Sequence, residues 1–104
     1  MSADEIEAYL QISYTAFLNF EDTYLQVRAG TIHPEAWTTG AARLRQLMEA
    51  PGFRVAWKKW RYLFGSDFVH ATDQIVLQAR SSGLEERSAS WAADIVEEIR
   101  LGAK

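Results

Sequence analysis

Apolar residues recur at three- and four-residue spacing along nearly the whole chain, and no segment shows the alternation of a half-buried strand. That pattern predicts amphipathic helices around one core: an all-α single domain, a bundle of four to five helices with a long N-terminal one. The densest stripe lies between Pro51 and Phe68, where Phe53, Trp57, Trp60 and Phe64 share one helical face. Pro51 suits the opening of that helix, because the first helical N–H has no intrahelical partner to lose. Gly65 is expected to close it and Ser66 to cap the next. The other helices then read as a shell that buries the four rings.

The first helix is expected over about 4–29. Ile6, Leu10, Phe17, Phe20, Tyr24 and Val27 keep a four-three rhythm that only Ser13 breaks, and Tyr14, Leu18 and Leu25 widen the stripe. At about 1.5 Å per residue it reaches roughly 39 Å, more than shorter helices cover. Its N-terminal turns, around Ile6 and Leu10, are therefore expected to project or to pair with a second chain. Gly30 supplies the left-handed residue that ends it. Pro34 opens a second helix over 34–50, with Trp37, Ala41, Leu44, Leu47 and Met48 inward and Arg43, Arg45, Gln46 and Glu49 outward. The aromatic helix spans 52–64. A fourth, over 67–80, turns Phe68, Val69, Thr72, Ile75, Val76 and Ala79 inward. Ser81-Ser82-Gly83 breaks the chain, and a fifth helix over 84–101 presents Leu84, Trp91, Ala92, Ile95, Val96 and Ile99.

Composition adds three things. Four Trp, four Tyr and five Phe in 104 residues can fill a small helical core without a staple. The absence of cysteine excludes disulfides and thiol chemistry and fits a reducing compartment. The net charge of −3 argues against general nucleic-acid affinity. The charge is uneven: both ends are acidic, and the middle, with Arg43, Arg45, Arg54, Lys58, Lys59 and Arg61, is basic. Oppositely charged helices packed side by side are the simplest source of such a distribution. No apolar run is long enough to span a bilayer and no signal peptide is evident, so a cytoplasmic location is expected.

Few residues suggest chemistry. His33 lies in a helix-opening turn and His70 on the outer side of the fourth helix, with no ligand spacing around either, so no metal is expected. The adjacent acids Glu21-Asp22, Glu85-Glu86 and Glu97-Glu98 point in different directions on a helix and do not converge. No phosphate-binding glycine loop and no nucleophile elbow is present. These absences exclude the usual motif-borne enzymes, and the expectation is a non-catalytic chain without cofactors. The one constellation that stands out joins the first and third helices. Glu21, Tyr24 and Arg28 share one side of the first; Arg54, Lys58 and Arg61 form a stripe on the third, beside Trp57. Like charges at this spacing repel, so something acidic should face them. For Arg61 an internal carboxylate is expected, Glu21 or Asp22; for Lys58, an external partner. The plainer reading, a fold-specifying ion pair, is preferred over recognition of an anionic ligand.

The run from Asn19 to Ile32, with its Glu21, Tyr24 and Gln26-Val27-Arg28-Ala29-Gly30, then Glu35-Ala36-Trp37, then Pro51-Gly52 followed by Trp57, resembles a group of small bacterial helical domains often carried behind one or two membrane-spanning helices. The resemblance covers roughly residues 17 to 70. It implies a bacterial origin and a helical fold, and no particular activity. This chain departs from the group in having no spanning segment, so it reads as a free-standing or excised version, and membrane proximity follows from the resemblance alone.

Taken together, these features lead to the expectation of an interaction or regulatory module that binds a protein partner or self-associates through its first helix. Two alternatives remain open: a small-ligand or anion sensor using the aromatic-basic edge between helices 1 and 3, and a nucleic-acid binder using Arg54, Lys58, Arg61, Arg43 and Arg45, which the net charge disfavours.

Overall fold

The computed structural model describes residues 2–82 and 84–102, with side chains described at 2–80 and 93–102. Among these residues the chain forms five α-helices and one 3₁₀ turn, and no strand. Helix α1 (Ala3–Arg28) starts on a reciprocal cap: the Ser2 hydroxyl accepts the Glu5 N–H and the Glu5 carboxylate accepts the Ser2 N–H. It ends where Gly30 turns left-handed at φ 76°. The Gly30 N–H then reaches the Val27 carbonyl and the Thr31 N–H the Gln26 carbonyl, each at 3.0 Å, which satisfies the last turn.

Pro34 precedes α2 (Glu35–Leu47), and its side chain cannot cap. His33 does so instead, its Nδ1 accepting the Glu35 N–H at 3.1 Å. This is the locally hydrogen-bonded histidine that its position suggests. Helix α3 (Pro51–Trp60) begins with Pro51 in the first turn and Ala50 extended before it. It tightens into the 3₁₀ turn Arg61–Leu63, and Phe64 becomes extended at φ −112°, ψ 162°. Gly65 therefore closes nothing in left-handed conformation. Its carbonyl accepts the Val69 N–H and so opens α4 (Ser66–Ser82), of which Ser66 is the first residue rather than the cap. Helix α5 spans Leu84–Gly102.

The buried centre is Phe17 of α1, Leu44 and Met48 at the end of α2, Phe53, Ala56 and Trp57 of α3, Phe64, and Phe68, Ile75 and Ala79 of α4. Phe17 lies at the middle of the rings, 4.8 Å from Phe53 and 5.0 Å from Trp57 between centroids. Tilted and edge-on ring pairs continue through Phe64 to Phe68, Tyr24 and Trp37. Ser13, the one break in the α1 stripe, is fully buried, and its hydroxyl donates to the Leu10 carbonyl at 2.8 Å.

Several expectations need correction. Trp60 is only partly buried: α3 ends at this residue, and its ring packs on Tyr14 at 4.9 Å at the edge of the core. Leu18, Leu25 and Leu47 are exposed, so the stripes of α1 and α2 are narrower than their apolar residues suggest. Glu49, placed outward by periodicity, is buried beyond the end of α2 with Arg45 at 3.7 Å. The largest departure is α5. Ile95, Val96, Ile99 and Leu101 are all exposed, so this described half of the helix shields no ring. The radius of gyration of 16.9 Å exceeds the roughly 13 Å of a compact chain this long, and the molecule extends 55 Å along its longest axis. No described helix is long and apolar enough to cross a membrane.

Replacing Phe17 with Ala should cost about 3–5 kcal/mol, the range for deleting a fully buried ring. Trp60→Ala should cost less, since part of its surface is already in contact with water. Urea denaturation of both variants measures the order, and equal losses would contradict this division of the core.

Candidate functional site

The basic stripe of α3 does not face α1. It faces α4, across a groove of about 500 Å³. Arg54, Lys58 and Arg61 supply one side. Asp73, Val76, Leu77 and Arg80, at matching helical spacing on α4, supply the other. Trp57 and the half-buried Val76 form the apolar floor, and the exposed Val55 and Leu77 rise at its edges.

Asp73 organises the polar end. Its Oδ1 accepts the Trp57 indole N–H at 2.9 Å and its Oδ2 pairs with the Arg61 guanidinium. Burial pushes the Asp73 carboxyl up. The hydrogen bonds from Arg61 and Trp57, helped by the charges of Arg61 and His70, outweigh that and hold it below its ordinary value. Arg61 thus has the internal carboxylate expected of it, but from α4; Glu21 and Asp22 are engaged elsewhere. Arg54 is also turned inward, donating to the carbonyls of Met48 and Glu49 at 2.8 and 3.0 Å and closing the exposed end of α2. Lys58 and Arg80 remain. Both are exposed, and neither forms an ion pair among the described residues. Among the described residues four cations and one carboxylate line the groove, which makes its described lining positive.

The α1 residues of the expected constellation form a separate cluster. Glu21 accepts the Gly65 N–H at 2.8 Å, tying α1 to the start of α4. Tyr24 packs against Trp37 and Phe68 and accepts a hydrogen bond from Arg28 at 2.9 Å. Arg28 also pairs with Asp67 at 3.1 Å, both side chains being largely exposed. These contacts join helix ends, and the expected meeting of Glu21 with Arg61 or Lys58 does not occur. Asp22 holds Gln26 on its own helix.

Sequence periodicity missed Asp73, Val76, Leu77 and Arg80 as site residues. A signal for Asp73 existed: a Trp at the centre of an apolar stripe needs an acceptor for its N–H. Among the described residues no group of three histidine or carboxylate side chains is placed to hold a metal ion. Comparison with protein-family models, with curated proteins and with solved structures returns no match to this chain.

Because the folded Asp73 carboxyl lies below its unfolded value, its stabilisation is present above the unfolded carboxyl range and is lost as pH falls through the folded value. Wild-type stability should therefore drop below about pH 4, and Asp73→Asn should flatten that part of the curve. At neutral pH the substitution should cost about 1 kcal/mol, a charged hydrogen bond discounted for partial exposure. Thermal unfolding across a pH series reads both effects.

Proposed function

We propose that the chain is a non-catalytic helical interaction module whose α3–α4 groove receives an acidic amphipathic helix. One observation carries this reading: Lys58 and Arg80 flank an apolar floor, exposed and without a carboxylate partner among the described residues. An acidic helix with an apolar stripe complements both features at once. The non-catalytic part is supported by what the other polar groups do. Asp73, Arg61 and Arg54 are engaged with the protein itself, leaving no poised base or nucleophile beside the floor among the described residues.

A small-anion sensor is favoured by the volume, about 500 Å³, which suits a ligand site. It ranks second because Trp57, at 2% exposure, offers a ligand no ring face to stack on. A nucleic-acid binder ranks lower, since two of the four groove cations are held internally and the chain is acidic overall. A cytoplasmic setting belongs to the proposal and is supported by a chain that needs no disulfide to fold. Bacterial origin and a place near a membrane rest on the sequence pattern alone.

A labelled acidic amphipathic peptide of unrelated sequence should bind the protein, and more weakly at high salt. A basic peptide of equal hydrophobicity should not bind. The folded double variant Lys58→Glu with Arg80→Glu should reverse that preference. Fluorescence anisotropy distinguishes the outcomes, and equal binding of both peptides to the wild type would sink the reading.

A further inference from the structure

The molecule carries its own candidate for the groove. Helix α5 is acidic and amphipathic. Ile95 and Ile99 are one turn apart, with Val96 beside them, and all three are exposed. Asp94 and Glu98, also one turn apart, run along one shoulder of that stripe. Glu97 lies on another side and is occupied by Arg100, at 2.6 Å. An unpartnered apolar stripe flanked by a pair of carboxylates thus matches an apolar floor flanked by Lys58 and Arg80.

The described half of α5, residues 93–102, does not line the groove of its own chain. Helix α4, which forms one wall, runs to Ser82, and α5 begins at Leu84. In its own chain the described half of α5 leaves that stripe open: residues 93–102 are exposed throughout, Ile95, Val96 and Ile99 among them. A second copy can bring its groove to it.

We propose that α5 of one chain docks in the α3–α4 groove of a second copy, and that the exchange is reciprocal, giving a two-fold dimer. The proposal rests on the reading of the groove as a receiver of acidic helices. Ile95 and Ile99 cover Val55, Val76 and Leu77, and Asp94 and Glu98 meet Lys58 and Arg80. Each α5 then gains the apolar cover that its own bundle does not give it, and the contact is isologous.

Charge reversal on the full chain tests this. In sedimentation velocity at about 50 mM salt the wild type should dimerise at micromolar concentrations and dissociate toward monomer at about 300 mM. Lys58→Glu and Glu98→Lys should each weaken the dimer about tenfold or more, with circular dichroism confirming that both remain folded. Mixing the two variants should restore dimers, because each mixed pair holds one wild-type contact and one with both charges reversed. Carbodiimide crosslinking of mixed light and heavy chains should join Lys58 of one chain to Asp94 or Glu98 of the other. Monomers throughout the concentration series, a dimer indifferent to both substitutions, or crosslinks confined to single chains would each overturn the proposal. If the chain stays monomeric while the unrelated acidic peptide still binds, the self-docking fails and the groove reading stands. If neither occurs, both fail.

Discussion

An indole N–H buried at the centre of a helical core has to find an acceptor, and the placement of Trp57 turns that requirement into an architectural constraint. The ring is 2% exposed, so water cannot serve the N–H. Asp73 does, from α4, and the carboxylate brought in for the indole has a second oxygen that takes Arg61. One side chain therefore fixes the register of α3 against α4 and anchors the 3₁₀ turn that follows α3. The groove beside them exists because this pair of helices is pinned at its polar end and opens toward Val55, Leu77 and Arg80. Losing Asp73 would leave a buried donor unsatisfied, which is why its effect should exceed that of an ordinary surface ion pair.

The aromatic core works around that pin. Phe17 touches Phe53, Trp57 and Phe64, so the middle of α1 contacts both ends of α3 and the turn beyond it. Polar ties then fix what packing leaves adjustable. The Trp60 indole donates to the Leu10 carbonyl at 3.1 Å, on the same oxygen that Ser13 uses. Glu21 reaches Gly65, and Arg54 closes the end of α2. Each tie spends a polar or charged side chain on a helix end or a backbone group. By this process Glu21, Arg54, Arg61 and Asp73 become internal ties, while Lys58 and Arg80, like Arg43 and Lys59, pair with no carboxylate among the described residues.

How far the sequence reveals this depends on the kind of information needed. Element type and order were legible, because the 3.6-residue period, Pro34, Pro51 and Gly30 act locally. The inward stripe of α4 was legible for the same reason: Phe68, Thr72, Ile75 and Ala79 are buried as their spacing requires. Which faces meet was not. Arg54, Lys58 and Arg61 were correctly placed on one stripe, but periodicity gives a helix a face without naming the neighbour opposite. Asp73 and Glu21 sit on the shoulders of equally good apolar stripes, and only the packed structure separates them. Glu49 and Gly65 mislead for a related reason. Both lie just outside helices, where the backbone leaves the helical path and periodic placement no longer applies.

Helix α5 marks the limit of such patterning from the other side. Its apolar period is as regular as that of α4, yet Ile95, Val96 and Ile99 remain exposed. Burial of a stripe depends on a neighbour lying opposite it as much as on the stripe itself. Residues 93–102 of α5 are exposed throughout, so nothing in the described bundle covers this stripe. Exposed apolar residues grouped on one helical face are costly in water and promote association. Their acidic flank opposes stacking on another α5 through like-charge repulsion, and favours a positively charged receptor. The same charges that would make α5 a poor partner for itself thus make it complementary to the α3–α4 groove, whose exposed Lys58 and Arg80 lack carboxylates among the described residues.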